Sequence, residues 1–106
     1  MSYAQYEDCI RECKACAVRC WHCLSEMATK ESMNDCPKCC AECSEICIAA
    51  VRAMAQGSQY VAEYCALCAK ICEWCAQQCE AHDHEHCQKC AEACRACLAE
   101  CRKHAA

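Results

Sequence analysis

Phenylalanine is absent from this sequence of 106 residues, and leucine, isoleucine and valine together number ten, so large apolar side chains cannot fill its interior. Glycine and proline occur once each, at Gly57 and Pro37, which argues against any sheet that needs turn-rich hairpins. Acids and bases are interspersed to a net charge of −4, and no basic stripe is available to neutralise a phosphate backbone, so nucleic acid is not an expected partner. No apolar run is long enough to cross a bilayer, and no membrane partner is expected. The opening stretch, Met1 to Asp8, has neither the basic region nor the apolar segment of a secretion signal, and the reading is of a cytoplasmic protein. No residue set reads as a catalytic triad or paired-carboxylate site, so an enzyme is not expected.

What is abundant is cysteine, with 20 residues, and alanine, also with 20. Alanine is the strongest helix former, and the breaks fall where punctuation is found. The sequence predicts helices over about 3–27, 34–56, 58–81 and 84–104 in a single domain spanning 1–106. Asn34 or Asp35 is the expected cap of the second helix, with Pro37 in its first turn, where a missing N–H is harmless. Gly57 suits the left-handed residue after that helix, Ser58 suits a cap for the third, and Asp83 a cap for the fourth. Four helices of this length joined by short loops form, most simply, an all-α, antiparallel, up-down-up-down four-helix bundle.

The cysteines set the phase of every helix. The first carries Cys9, Cys13, Cys16, Cys20 and Cys23, in steps of four, three, four and three. The third carries Cys65, Cys68, Cys72, Cys75 and Cys79, and the fourth Cys87, Cys90, Cys94, Cys97 and Cys101, each in steps of three, four, three and four. The second carries Cys36, Cys40, Cys43 and Cys47, with Cys39 as a flanking extra. Such spacing keeps each set on one narrow stripe, so four stripes face a shared axis and line the core with sulfur. Cys39 points roughly 100° away from Cys40 and falls at the edge of that stripe.

Geometry and charge sort the chemistry open to such a core. Residues three or four apart on a helix hold their Cβ atoms about 5–6 Å apart, too far for an unstrained disulfide. Iron–sulfur sites and structural zinc each need a distinct set of four ligands, which evenly spread cysteines do not single out, and a zinc–thiolate array would leave excess negative charge in the core. Soft thiolates select Cu(I), and if each thiolate bridges two two-coordinate ions the charges cancel at about one Cu(I) per cysteine. Eight Cys-x-x-Cys pairs can each clasp an ion within one helical turn. A metallothionein-like Zn(II) or Cd(II) buffer and a copper chaperone that delivers to a partner are the alternatives. A chaperone needs one exposed site, whereas nearly every ligand here is expected inside.

At one end of the expected bundle, Met27, Met33, Asn34 and Cys36 approach the His82-Asp83-His84-Glu85-His86-Cys87 turn. His84 and His86 are candidate metal ligands beside Cys87. His82 falls in the cysteine phase but also suits capping of helical carbonyls, and Met27 suits packing as well as ligation. At the other end Tyr6, Met54 and Val61 extend the seams as an apolar plug, and His104 is in phase with them. His22 lies off the seam and reads as a surface residue. Trp21, Trp74, Leu24, Val18, Ile71 and Leu67 form a second apolar face, suited to packing between helices or between subunits.

Over essentially its whole length the chain resembles the cytosolic branch of the bacterial copper storage proteins. The resemblance is carried by the Cys9-x3-Cys13-x2-Cys16-x3-Cys20-x2-Cys23 run, by Cys43-Ser44-Glu45-Ile46-Cys47, by Cys65-Ala66-Leu67-Cys68-Ala69-Lys70-Ile71-Cys72-Glu73-x-Cys75, and above all by His82-Asp83-His84-Glu85-His86-Cys87-Gln88-x-Cys90. It implies Cu(I) loading along the bundle axis, a histidine-bearing mouth at His84 and His86, and a homotetramer of four bundles. The adjacent pair Cys39-Cys40 departs from what the resemblance leads one to expect.

Overall fold

In the computed structural model, residues 3–105 are described, and they form four α-helices and no strand. A 3-10 turn over Tyr3–Tyr6 leads into α1 (Glu7–Met27), followed by α2 (Cys36–Gln56), α3 (Val61–Glu80) and α4 (Glu85–His104). Helices adjacent in sequence pack against each other, and α1 packs on α4, closing a bundle of 44 × 20 × 17 Å. The α1–α2 and α3–α4 connections therefore share one end, and the α2–α3 connection shares the other with the Tyr3–Tyr6 turn and the end of α4.

Local chemistry sets the helix ends and corrects several expected ones. The first four described residues wind as a 3-10 turn, a common form at helix starts, and this buries the Tyr6 ring. α2 begins at Cys36, with Pro37 in the first turn; Asp35 occupies the cap position, but the capping oxygen is Asn34 Oδ1, which accepts from the Cys36 N–H at 2.9 Å. Gly57, at φ 68°, ends α2: its N–H donates to the Met54 carbonyl at 3.3 Å and the Ser58 N–H donates to Ala53 at 2.9 Å, the paired bonds of a Schellman motif. Ser58 does not cap α3. Its hydroxyl accepts from the Tyr60 N–H at 3.0 Å and holds a turn, so α3 starts three residues later than expected. Asp83 is likewise not the cap of α4, because His84 adopts the extended conformation at that position and its carbonyl takes the N–H groups of Cys87 and Gln88.

The core is a cysteine core: all twenty cysteines are buried. Ala17, Ala69, Ala76 and Ala91 are buried beside them, and side chains this small let the helices approach closely. Larger buried groups are few, among them Ile10, Ile46, Met27 and Leu98. On the surface, Arg95 of α4 makes two bonds to the Glu80 carboxylate of α3, at 3.0 and 2.9 Å, and Arg102 reaches Glu73 at 3.1 Å. Exposed pairs of this kind contribute at most about 1 kcal/mol each.

Candidate metal centre

Heptad phase on four antiparallel helices stacks the sulfurs in levels. The level nearest the histidine turn holds Cys23, Cys36, Cys79 and Cys87, with Cys36 at 3.5 Å from Cys79 and 3.8 Å from Cys23, and Cys23 at 3.7 Å from Cys87. Below it lie Cys20, Cys40, Cys75 and Cys90, with Cys40 at 3.8 Å from Cys75 and 3.7 Å from Cys90. The third level holds Cys16, Cys43, Cys72 and Cys94, with Cys43 at 3.6 Å from Cys72 and Cys16 at 3.7 Å from Cys94. The fourth holds Cys13, Cys47, Cys68 and Cys97, with Cys97 at 3.5 Å from Cys13 and Cys47 at 3.8 Å from Cys68.

Cys9, Cys65 and Cys101 make the fifth level, with Cys9 at 3.7 Å from Cys101. On α2 the heptad position that would complete this level is the buried Ala50. Contacts of 3.7 Å from Cys40 to Cys79 and from Cys13 to Cys101, one of 3.9 Å from Cys68 to Cys72, and the grouping of Cys20 with Cys16, Cys43 and Cys94 within 4.8 Å link each level to the next, so the sulfurs form one column. With a rise of 1.5 Å per residue, the fourteen residues from Cys9 to Cys23 give it a length of about 21 Å.

Cys39 stands at the edge of the column. It is fully buried, and its thiol donates to the Cys36 carbonyl at 3.2 Å and faces the Cys75 carbonyl at 3.9 Å, which places the sulfur between α2 and α3. It also interacts with the thiols of Cys40, Cys75 and Cys79, as Cys65 does with those of Cys9 and Cys101.

The spacing is close to what metal bridging needs. A first-row metal–thiolate bond is about 2.3 Å, so three thiolates around one ion stand about 4.0 Å apart and two in line about 4.6 Å. Sulfurs now in van der Waals contact have to part only slightly to admit an ion. Sets of four within 4.8 Å of one another include Cys20, Cys40, Cys75 and Cys90, and also Cys23, Cys40, Cys79 and Cys90, so single sulfurs belong to more than one candidate site.

Burial and mutual contact govern ionisation. At the histidine end, burial and then the nearby Cys36 sulfur push the Cys87 thiol up from 9.0 to about 11. Deeper in the column Cys20 is held above the ordinary thiol range by its interactions with Cys16, Cys40 and Cys43, while Cys16 and Cys90 are held below it, first of all by their interaction with Cys20. Protons are thus shared between sulfurs, and thiols this close cannot all ionise without a cation to replace the protons.

The end at the α1–α2 and α3–α4 connections is stitched by polar side chains. His82 is buried, with Nε2 at 2.9 Å from Asn34 Oδ1 and 3.1 Å from Ser32 Oγ, so it staples the two loops and does not cap helical carbonyls. Asn34 Nδ2 donates to the Gln78 carbonyl, Gln78 Oε1 accepts from the Asp35 N–H, and Gln88 Nε2 donates to the His82 carbonyl. Met27 is buried next to this end, and Met33 is 84% exposed. His84 stacks on His86 with ring centroids 5.2 Å apart, and His86 Nδ1 lies 3.5 Å from Cys87 Sγ. Burial, and then His84 beside it, hold the His86 imidazole below its ordinary value and keep it neutral near pH 7. His22 of α1, a residue the heptad pattern assigns to the surface, is exposed yet meets the His86 ring edge-on at 6.3 Å. The one sequence signal for it is that it immediately precedes Cys23, the α1 member of the outermost level.

At the far end Tyr6, Met54 and Val61 are buried beyond the last level, and His104 packs edge-on against Tyr6 at 5.0 Å.

The sequence profile of the copper storage proteins matches residues 2–106. The chain belongs to this family. It is 44% identical over 82 residues to YhjQ, an uncharacterized cysteine-rich protein of Bacillus subtilis (strain 168), covering 74% of this chain and 76% of that one. Among solved structures it is similar to the Cu(I)-bound copper storage protein BsCsp3, with a TM-score of 0.91 and 42% identity over 99% of this chain and 100% of that one. It is similar also to the apo form of copper storage protein 3 from Bacillus subtilis, with a TM-score of 0.90 and 44% identity over 95% and 99% of the two chains. This family member therefore overlays a loaded and an empty relative almost equally well.

Proposed function

We propose that the protein stores Cu(I) in the cytosol, holding about one ion per cysteine along the sulfur column. The observation that carries this reading is the continuity of the column: contacts of 3.7 to 3.9 Å join the first level to the second, the third to the fourth and the fourth to the fifth, and Cys20 of the second lies within 4.8 Å of Cys16, Cys43 and Cys94 of the third. A continuous chain of bridging thiolates suits a monovalent ion, because one positive charge per thiolate leaves the buried column neutral. Thiols this close would cross-link in an oxidising compartment, which favours the cytosol. The near-equal fit to loaded and empty relatives supports filling without a change of fold.

Every cysteine of the column is a ligand in this reading, and Cys39 is an off-axis ligand at its edge. His84 and His86 receive Cu(I) at the mouth and pass it to Cys87. Each ion displaces thiol protons, so loading releases protons and weakens as pH falls. The protein catalyses no reaction and assembles as a homotetramer. The surface that suits subunit contact is the band across α1, α2 and α3, where Val18, Trp21, Leu67 and Tyr64 are exposed and two shallow depressions, one lined by Trp21 and Ile48 and one by Leu67 and Ile71, share Ala49.

The test is an anaerobic titration of fully reduced protein with Cu(I) against a competing chromogenic chelator, with a parallel Zn(II) titration and metal counted after gel filtration. Roughly one tightly held Cu(I) per cysteine, with Zn(II) weaker or at much lower ratio, is the expected result. A plateau at one or two Cu(I), or tight Zn(II) near one per four cysteines, overturns it in favour of a courier or a zinc buffer.

A further inference from the structure

Four histidines stand in a row at the mouth, and their surroundings give them different duties. His82 stacks on His84 at 6.0 Å, His84 on His86 at 5.2 Å, and His86 meets His22 at 6.3 Å with the ring planes 89° apart. His82 is engaged by Asn34 and Ser32. His86 is not satisfied. Its Nε2 is buried and has no hydrogen-bond partner, an arrangement that is costly for a polar atom unless a ligand completes it. His86 Nδ1 lies 3.5 Å from the Cys87 sulfur, and in the tautomer that donates Nδ1–H to it the lone pair is left on Nε2. A metal-ligating histidine takes this form, since its second nitrogen is usually fixed by an anionic or carbonyl acceptor.

Side chains able to bind metal stand close to the His86 ring. The perpendicular planes of His22 and His86 allow one ion to lie in both. Glu26 sits four residues after His22, on the same face of α1, and its carboxylate acts on His86 electrostatically, opposed by Lys30. Glu26 is only loosely paired, at 3.9 Å from Lys30. His84 is exposed and lies parallel to His86, so its ring has to turn to offer a nitrogen.

We propose that His22, Glu26 and His86, with His84 as a swinging fourth ligand, form a mouth site for one divalent ion of the zinc class, chemically distinct from the Cu(I) column beneath it. Imidazole nitrogen with one carboxylate oxygen suits Zn(II), whereas Cu(I) is drawn to the thiolates. Filling the column turns Cys87 into a permanent anionic acceptor for His86 Nδ1–H, so the site is best formed when the protein is loaded. An ion held there lies across the exit and retards the loss of copper.

The experiment uses Cu(I)-saturated protein, so that thiolates do not compete for the probe. Zn(II) alone is titrated in under anaerobic conditions, and Co(II) serves as its spectroscopic substitute. One Zn(II) per chain is expected to remain after gel filtration, with Co(II) d–d bands but no thiolate charge-transfer band. H22A and E26Q, both exposed positions, are expected to weaken Zn(II) about 10–100-fold while keeping the Cu(I) capacity. Transfer of Cu(I) to a strong chelator is expected to slow when the site is filled, and this slowing to vanish in H22A. Absence of retained Zn(II), equal retention by H22A, or a thiolate band from Co(II) overturns the proposal. Cu(I) is counted on the same samples, so a low copper count speaks against storage itself, and the Co(II) spectrum still tells whether imidazoles hold the second ion.

Discussion

At one end of the bundle Tyr6, Met54 and Val61 cover a level of three thiols, and at the other His82, Asn34, Ser32 and Gln78 brace two loops around a level of four. The closed end is apolar and filled by large side chains. The mouth is polar, carries His86 in ring contact with both His84 and His22, and presents the Cys87 thiol beside the His86 imidazole. Identical thiols thus lie between ends of opposite character: the apolar end holds the helices together, and in the function proposed above the polar end admits metal, so that stability and traffic are separated along the axis.

The separation is broken most severely at the closed end. Met54→Ala is expected to cost about 2–5 kcal/mol of apo stability, read as the urea midpoint, while the number of Cu(I) bound stays the same. His86→Ala should do the converse, slowing Cu(I) uptake in stopped-flow about tenfold or more with the final count nearly unchanged and the urea midpoint little moved. If both variants changed rate and stability alike, the two ends would not be specialised.

Alkali gives a smaller and more local effect. The Cys87 thiol rises from 9.0 to about 11 on folding, so between those values the unfolded chain has lost a proton that the folded one keeps. Unfolding then releases a proton, and stability falls as pH climbs through that window. Urea midpoints of fully reduced apo protein across it should decline, and less steeply in Cys87→Ala. The smallest change is expected from Cys39→Ala, which removes a sulfur at the column's edge that donates to the Cys36 carbonyl: at most one ion fewer and less than about 1.5 kcal/mol of stability, where Cys40→Ala interrupts two levels.

The bundle was legible in the sequence because cysteine is both the ligand and the core residue, so one residue type reported helix phase, inward face and chemistry together. Steps of three and four from Cys9 to Cys23 and from Cys87 to Cys101 left no other arrangement of stripes. The starts of α3 and α4 were less legible, because Ser58 and Asp83 are good caps by type and only the backbone shows that Ser58 spends its hydroxyl on a turn and that His84 holds the extended position. His22 was hidden for a different reason. Its meeting with His86 depends on how far α1 is rotated against α4, and no pattern within a single helix carries that angle. Cys39 was visible as off-phase, but its bond to the Cys36 carbonyl requires the positions of α2 and α3 together.

The cap formed by Tyr6, Met54 and Val61 has a consequence in time. A file of sites with a single opening is filled from the bottom and emptied from the top, so ions taken up early wait behind those taken up late. With entry and exit at the histidine end, as proposed, the pool would be layered by age: recent arrivals would leave first and the deepest would remain as a reserve.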